Sequence, residues 1–148
     1  MAMPKGPLFS ELTRDESIDL LTRNHVGRLA FTFRDRVDIE PISYVYADGW
    51  LYARTSPGTK LQIVHHHPWV AFEVDEIHSR FDWRSVVVHG TIYFLDAADT
   101  EHEPYHHAVE VLRKIDADAF TETDLVPRRT NIFRIHADDI SGRRASPA

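Results

Sequence analysis

The run from Trp83 to Leu95 constrains this fold more than any other stretch, because it alternates along its whole length. One register is Val86, Val88, Gly90, Ile92 and Phe94, which reads as core. The other carries Trp83, Ser85, Val87, His89, Thr91, Tyr93 and Leu95. Side chains two apart share a strand face, so the run is one long strand with one face inward. Its second face is too apolar for open water and too polar for a closed interior. A face of that mixture meets a ligand or a second subunit.

The rest of the chain supplies partners for that strand. Val26 to Phe33 alternates as a half-buried strand, and the turn Arg34-Asp35-Arg36 makes a hairpin with Val37 to Tyr46. Pro41 breaks the second arm: it has no amide to give a ladder, which points to an edge, a bulge or a ligand against the backbone. Trp50 to Arg54, Trp69 to Asp75 and Thr130 to Ile140 read as further strands, with a polar loop over Glu76 to Asp82. Thr13-Arg14-Asp15-Glu16 has the capping-box form of a helix start, and that helix is expected to run to Arg23. A second helix is expected over Ala97 to Ile115, followed by a polar connection over Asp116 to Arg129. Residues 1–9 and 141–148 read as loose termini. Six strands in hairpins with peripheral helices give an α+β domain whose antiparallel sheet closes into a small barrel, leaving no exposed edge. At 148 residues the chain has the size of one domain.

The chemistry is expected at the stretch Asp48 to His67. A strand ends in Arg54 and turns through Thr55-Ser56-Pro57-Gly58 into a short helix over Thr59 to His66. Serine caps a helix with its oxygen, and proline at the first helical position has no amide to leave unpaired. The junction thus gathers Arg54, three hydroxyls, free amides, the positive helix end and Lys60. That set suits an anion with several oxygens. Ser-Pro-Gly is also an ordinary helix start, but two cations and three hydroxyls within seven residues are unusual in a chain of net charge −6. Two or three charge-assisted contacts to a phosphate supply on the order of 5 to 8 kcal/mol. That is at best micromolar binding, so the phosphate would anchor a larger ligand held elsewhere by packing.

Several classes fall away. The chain has no cysteine, which removes disulfides, thiolate metal sites and a cysteine nucleophile. The acidic balance argues against a nucleic-acid binder. No stretch has the length and apolarity of a membrane span, and nothing resembles a signal peptide, so a cytoplasmic location is expected. The histidines are read as structural. His65-His66-His67 suits a helix carboxyl end, and His102 and His106 flank Pro104 with no carboxylate placed to complete a metal site.

Six segments in order resemble the pyridoxamine 5'-phosphate oxidase-like FMN-binding split-barrel family, and most closely its short bacterial branch with the nitroimidazole-resistance proteins. They are HVGRLAF at 25–31, EPISY at 40–44, DGWLYARTSPGTK at 48–60, VAFEVD ending at Asp75, WRSVVVHG at 83–90 and IFRIHADDISGRR at 132–144. The resemblance implies a homodimer of six-stranded split barrels with FMN at the subunit interface. It puts the FMN phosphate on Arg54, Thr55, Thr59 and Lys60, with Gly58 in the turn between them. It lays the isoalloxazine ring along Pro41, Ile42 and Ser43, with Ser85 hydrogen-bonded to the ring and Trp83 packed nearby. Arg54 stands where the nitroimidazole-resistance branch usually has histidine. The arginine-rich substrate motif of pyridoxamine phosphate oxidases is not visible in Phe133-Arg134-Ile135-His136. The function implied is an FMN-dependent oxidoreductase of unspecified small-molecule substrate, with no side chain assigned as acid or base. The alternative is a carrier or sensor of flavin, haem or deazaflavin on the same barrel.

Overall fold

A computed structural model describes residues 6–58, 68–95 and 103–148. Among these, β1 (Leu8–Glu11), α1 (Arg14–Arg23), β2 (Val26–Phe33), β3 (Arg36–Ala47), β4 (Trp50–Thr55), β5 (Trp69–Ser79), β6 (Asp82–Leu95), α2 (Glu103–Leu112) and β7 (Asn131–Ser146) follow in order. The helix expected over Thr59 to His66, and the first residues of that expected from Ala97, lie outside the described residues. No described helix is long and apolar enough to cross a membrane.

All strand pairings are antiparallel, in the order β1-β7-β4-β3-β2-β5-β6, and β6 also pairs with β7. The ladder therefore returns on itself through six strands, and β1 is a seventh added to the edge of β7. Leu29, Phe31, Leu51, Phe72, Val74, Val86, Val88, Ile92, Phe133 and Ile135 fill the interior. Helix α1 lays Leu20 and Leu21 into the same core. It starts where its capping box requires: Thr13 N–H donates to Glu16 Oε1 at 3.0 Å and Glu16 N–H to Thr13 Oγ1 at 3.1 Å. A second cluster forms outside the ring, where Ala108, Val111 and Leu112 of α2 pack on Val45, Tyr52 and Ile132. Strands β3, β4 and β7 are thus covered on both sides near that helix.

Two expectations are corrected at the strand ends. The polar stretch after Asp75 is strand, not loop: Glu76 pairs with Arg84 and Ile77 with Trp83, leaving Arg80-Phe81 as the turn. Glu76 is held there by Arg23 and Asn24 at the end of α1, at 2.6 to 2.8 Å. Among the described residues, 8–9 and 141–146 are strand rather than loose ends, since β7 runs to Ser146 with β1 on one edge and β6 on the other. Gly142 allows this, because a Cβ there would overlap the Ser17 hydroxyl and crowd Leu12 at 2.8 Å. Arg144 then ties the strand to Ser10 and Glu16.

Candidate functional site

The site begins with a mismatch of strand lengths. Strand β4 is six residues long and pairs with β3 only over Tyr44 to Ala47. Beyond Ala53, the Arg54-Thr55 end of β4 stays with Ile132 and Asn131 of β7. The Arg36 to Ser43 part of β3 pairs with β2 alone, so its other edge is open toward β4. Pro41 sits on that open edge, where a missing amide costs no ladder bond.

The opening is a cleft of about 360 Å³ lined by Val26, Glu40, Pro41, Ile42, Ser43, Arg54, Thr55, Ser56 and Arg129. Five sequence-expected residues, Pro41, Ile42, Ser43, Arg54 and Thr55, are thereby brought together. A second hollow of about 280 Å³ shares Ser43, Arg54 and Arg129 and is otherwise walled by Leu112, Ile115, Asp116, Ala119, Leu125 and Val126. A larger concavity of about 620 Å³ lies at the tip of the β2–β3 hairpin between Phe33 and Asp38. It is the inner curve of one exposed turn and gathers none of these groups.

Arg54 reaches the cleft wall, but its guanidinium faces the 116–129 segment. Nε donates to Arg129 O at 2.7 Å, Nη2 to Asp124 Oδ2 at 2.7 Å and to Val126 O at 3.4 Å. Nη1 donates to Asp124 Oδ1 at 3.3 Å and lies 3.7 Å from Asp116. The guanidinium also stacks on the Phe120 ring, 4.0 Å from its centre. Asp124 is only 2% exposed and accepts the Phe120 and Val126 amides at 2.9 and 3.0 Å. Arg54, and then those two amides, hold its carboxyl far below the usual carboxylate range.

Trp83 and Ser85 lie elsewhere in the single chain. They are on β6, three strands beyond β3, so at about 4.8 Å per strand they are roughly 14 Å from the cleft edge. Ser85 pairs with Asp75 and donates its hydroxyl to Glu73 at 2.8 Å. Arg28 bridges Glu73 and Asp75 at 3.5 Å each. Burial, then a hydrogen bond with Asp75, pushes the Glu73 carboxyl up. Around this polar group the outer face is apolar: Val26, Val37, Ile39 and Trp69 are each more than half exposed.

Gly58 follows Pro57 with φ +76°, a left-handed turn that favours glycine. Thr59, Lys60, His65 to His67 and His102 lie outside the described residues. Among the described residues no three histidine or carboxylate side chains converge on a metal-sized site. The residue that sequence reading passed over is Arg129, which stands at the end of the stretch read only as a polar connection over Asp116 to Arg129. Only the pairing of Thr55 with Asn131 brings it beside Ser56, and that pairing joins segments far apart in the chain.

A sequence model of the pyridoxamine 5'-phosphate oxidase family matches residues 13–144. The chain belongs to that family. Among solved structures, a FAD-binding protein of Mesorhizobium loti superposes with a TM-score of 0.73 at 33% identity, covering 92% of this chain and 97% of that one. The uncharacterized protein RA0666 of Rhizobium meliloti (strain 1021) is 31% identical over 103 residues, 70% of this chain and 68% of its own length. A Bacteroides thetaiotaomicron protein described as a candidate 5-nitroimidazole antibiotic resistance protein shares the fold at TM-score 0.73 and 14% identity, covering 97% and 91%. The resemblance to the pyridoxamine 5'-phosphate oxidase family read from the sequence is thereby shown.

Proposed function

We propose that the chain is a flavin-dependent oxidoreductase acting on a small molecule, with FMN held between two copies of a split barrel. The cleft between β3 and β4 is the observation that carries this reading. Its volume of about 360 Å³ falls in the range of ligand pockets. An open strand edge at Pro41 to Ser43 offers backbone groups to the rim of a planar ring, and the β4 end offers hydroxyls of Thr55 and Ser56 to a phosphate. Gly58, Thr59 and Lys60 complete the phosphate end in this reading. Bound flavin would supply the electron transfer itself. The chain's own part is to orient the ring, anchor the phosphate and keep water off the reacting face.

In the single chain, Trp83 and Ser85 stand too far from the cleft to touch the same ligand. A second copy packed on the apolar outer face would bring its Trp83 and Ser85 over the ring. This supports a homodimer as the binding unit.

FAD is the second reading of the cofactor. The hollow walled by Leu112, Ile115, Ala119 and Leu125 continues the cleft past Arg54 and could take an adenine ring. The Mesorhizobium loti relative is itself FAD-binding. A carrier or sensor of flavin, haem or deazaflavin remains the non-catalytic alternative, and here no substrate would be turned over. The visible spectrum of the purified protein separates the cofactors, and turnover of an added acceptor by the flavin-loaded protein separates an oxidoreductase from a carrier. Flavin bands released as FMN support the first and released FAD the second. A haem Soret band, or no colour and no uptake of added FMN or FAD, overturns both.

A further inference from the structure

We infer that Arg129 takes the phosphoryl group of the flavin nucleotide, and that Arg54 is a positioning residue holding the 116–129 segment against the cleft. The inference rests on the flavin reading of that cleft and deepens it.

A guanidinium has five N–H donors in a fixed fork. In Arg54 one meets Arg129 O, two meet the Asp124 carboxylate, one meets Val126 O and one points to Asp116. Its side chain is 9% exposed. A phosphate approaching Arg54 would have to displace Asp124 and leave that buried carboxylate without its counter-ion, which is strongly unfavourable. The charge of Arg54 is thus neutralised from within, and its contacts serve the segment.

Arg129 has the opposite character. It lines the cleft, the apolar hollow beside it and a third concavity with Ser56, Leu125 and Pro127. Its backbone is fixed twice, by the Arg54 bond to its carbonyl and by its own amide on Val126 O at 3.0 Å. Its guanidinium makes no hydrogen bond or ion pair among the described residues. A cation with a fixed base and free donors, at the meeting point of three hollows, suits a phosphate monoester or a pyrophosphate joining two ring systems.

The test titrates FMN, FAD, riboflavin and inorganic pyrophosphate into apo parent, Arg129→Ala, Arg129→Lys and Asp124→Asn proteins, with a thermal melt on each. Arg129→Ala is expected to weaken FMN about 10- to 150-fold and riboflavin less than about twofold, and Arg129→Lys to restore part of the loss. Asp124→Asn, which frees Arg54, is expected to weaken FMN as the segment loosens. Unchanged FMN affinity in Arg129→Ala, or tighter FMN in Asp124→Asn, overturns the inference. If the parent takes up no flavin at all, the flavin reading fails, and pyrophosphate decides the anion assignment. Pyrophosphate binding lost in Arg129→Ala supports it, and binding that is absent or indifferent to Arg129 overturns it.

Discussion

Ser85 donates its hydroxyl to Glu73 Oε2 at 2.8 Å, across the β5–β6 ladder. The serine that the family resemblance assigns to the flavin ring therefore has its proton engaged, and it meets a ligand as an acceptor. The pair is set by the sheet: Ser85 stands beside Asp75, two residues along from Glu73, and all three point outward with Arg28.

Glu73 and Glu76 are three residues apart on β5 and are expected to give opposite pH dependences. Glu76 is lowered from 4.5 to about 2, first by the Arg23 hydrogen bonds. Its contribution to stability is full above 4.5 and is lost as pH falls toward 2. Glu73 is raised from 4.5 by burial and by Asp75, so its contribution is full below 4.5 and is lost as pH rises through the folded value. Denaturation of Glu76→Gln should lose the acid-side slope between those limits. Glu73→Gln, which keeps an acceptor for Ser85, should gain on the parent above pH 4.5. Parallel pH profiles for both variants and the parent would refute the assignment.

Gly90 is expected to tolerate no side chain. It sits at the irregularity where the β6–β7 register jumps from Asp139 to Ala137. A Cβ there would overlap the carbonyl oxygen of His136, a backbone atom that cannot turn aside. Gly90→Ala should cost about 1 to 3 kcal/mol or more by overpacking, read as a lower urea midpoint. Gly6→Ala, with nothing within 4 Å, is the matched control and should change little.

Much of the fold was legible because it depends on local pattern. Thr13 and Glu16 announce the helix start, and the alternation of Val86, Val88, Gly90 and Ile92 announces the core face of β6. The turn at Arg34-Asp35 has positive φ at both residues, 47° and 61°, as a tight hairpin requires. The misses come from long-range pairing. Glu76 and Ile77 look like loop until Arg23 and Trp83 are beside them, and Ser141 to Ser146 look like a tail until β1 and β6 flank them. The site was half legible for the same reason. The end of β4 and the proline edge are written in single segments, whereas the partner of Arg54 is Asp124, seventy positions away. A cation's position could be read from the sequence, but not the direction in which its charge is used.

The outer face predicts association. Val37 is 82% exposed, Ile39 62% and Trp69 57%. With Ala30, Ala71 and Val87 they form an apolar surface across β3, β2, β5 and β6. Exposed contiguous patches of this kind mark interfaces, and covering this one takes an obligate-size contact of about 2,000 Å² or more. Light scattering at micromolar concentration should give a dimer, and Ile39→Glu with Trp69→Glu should give a monomer with reduced flavin content. A monomeric parent that retains flavin would contradict both the interface and the shared site.

Oxidation of pyridoxamine 5'-phosphate is expected to be slow compared with reduction of artificial acceptors. Arg134 lies in the segment Phe133-Arg134-Ile135-His136, where a substrate motif would stand, and its guanidinium stacks on Trp50, 3.9 Å from the ring centre. His136 is likewise held, with Nδ1 on Asp138 at 2.5 Å and its ring against Trp50. The β4–β7 register puts Arg134 opposite Tyr52, whereas the cleft end is at Thr55 opposite Asn131. At about 3.3 Å per residue, Arg134 is roughly 10 Å and His136 roughly 17 Å from that end along the strand. Neither can grip a second phosphate beside a flavin in the cleft of its own chain. Assaying flavin-loaded protein for both reactions at equal substrate concentration tests this, and Arg134→Ala should leave acceptor reduction within about twofold, since the Arg134 stack on Trp50 stands roughly 10 Å along the strand from the cleft end. Efficient pyridoxamine 5'-phosphate turnover that collapses in Arg134→Ala would mean that Arg134 leaves Trp50 to meet substrate, and that the stacked arrangement is a resting state.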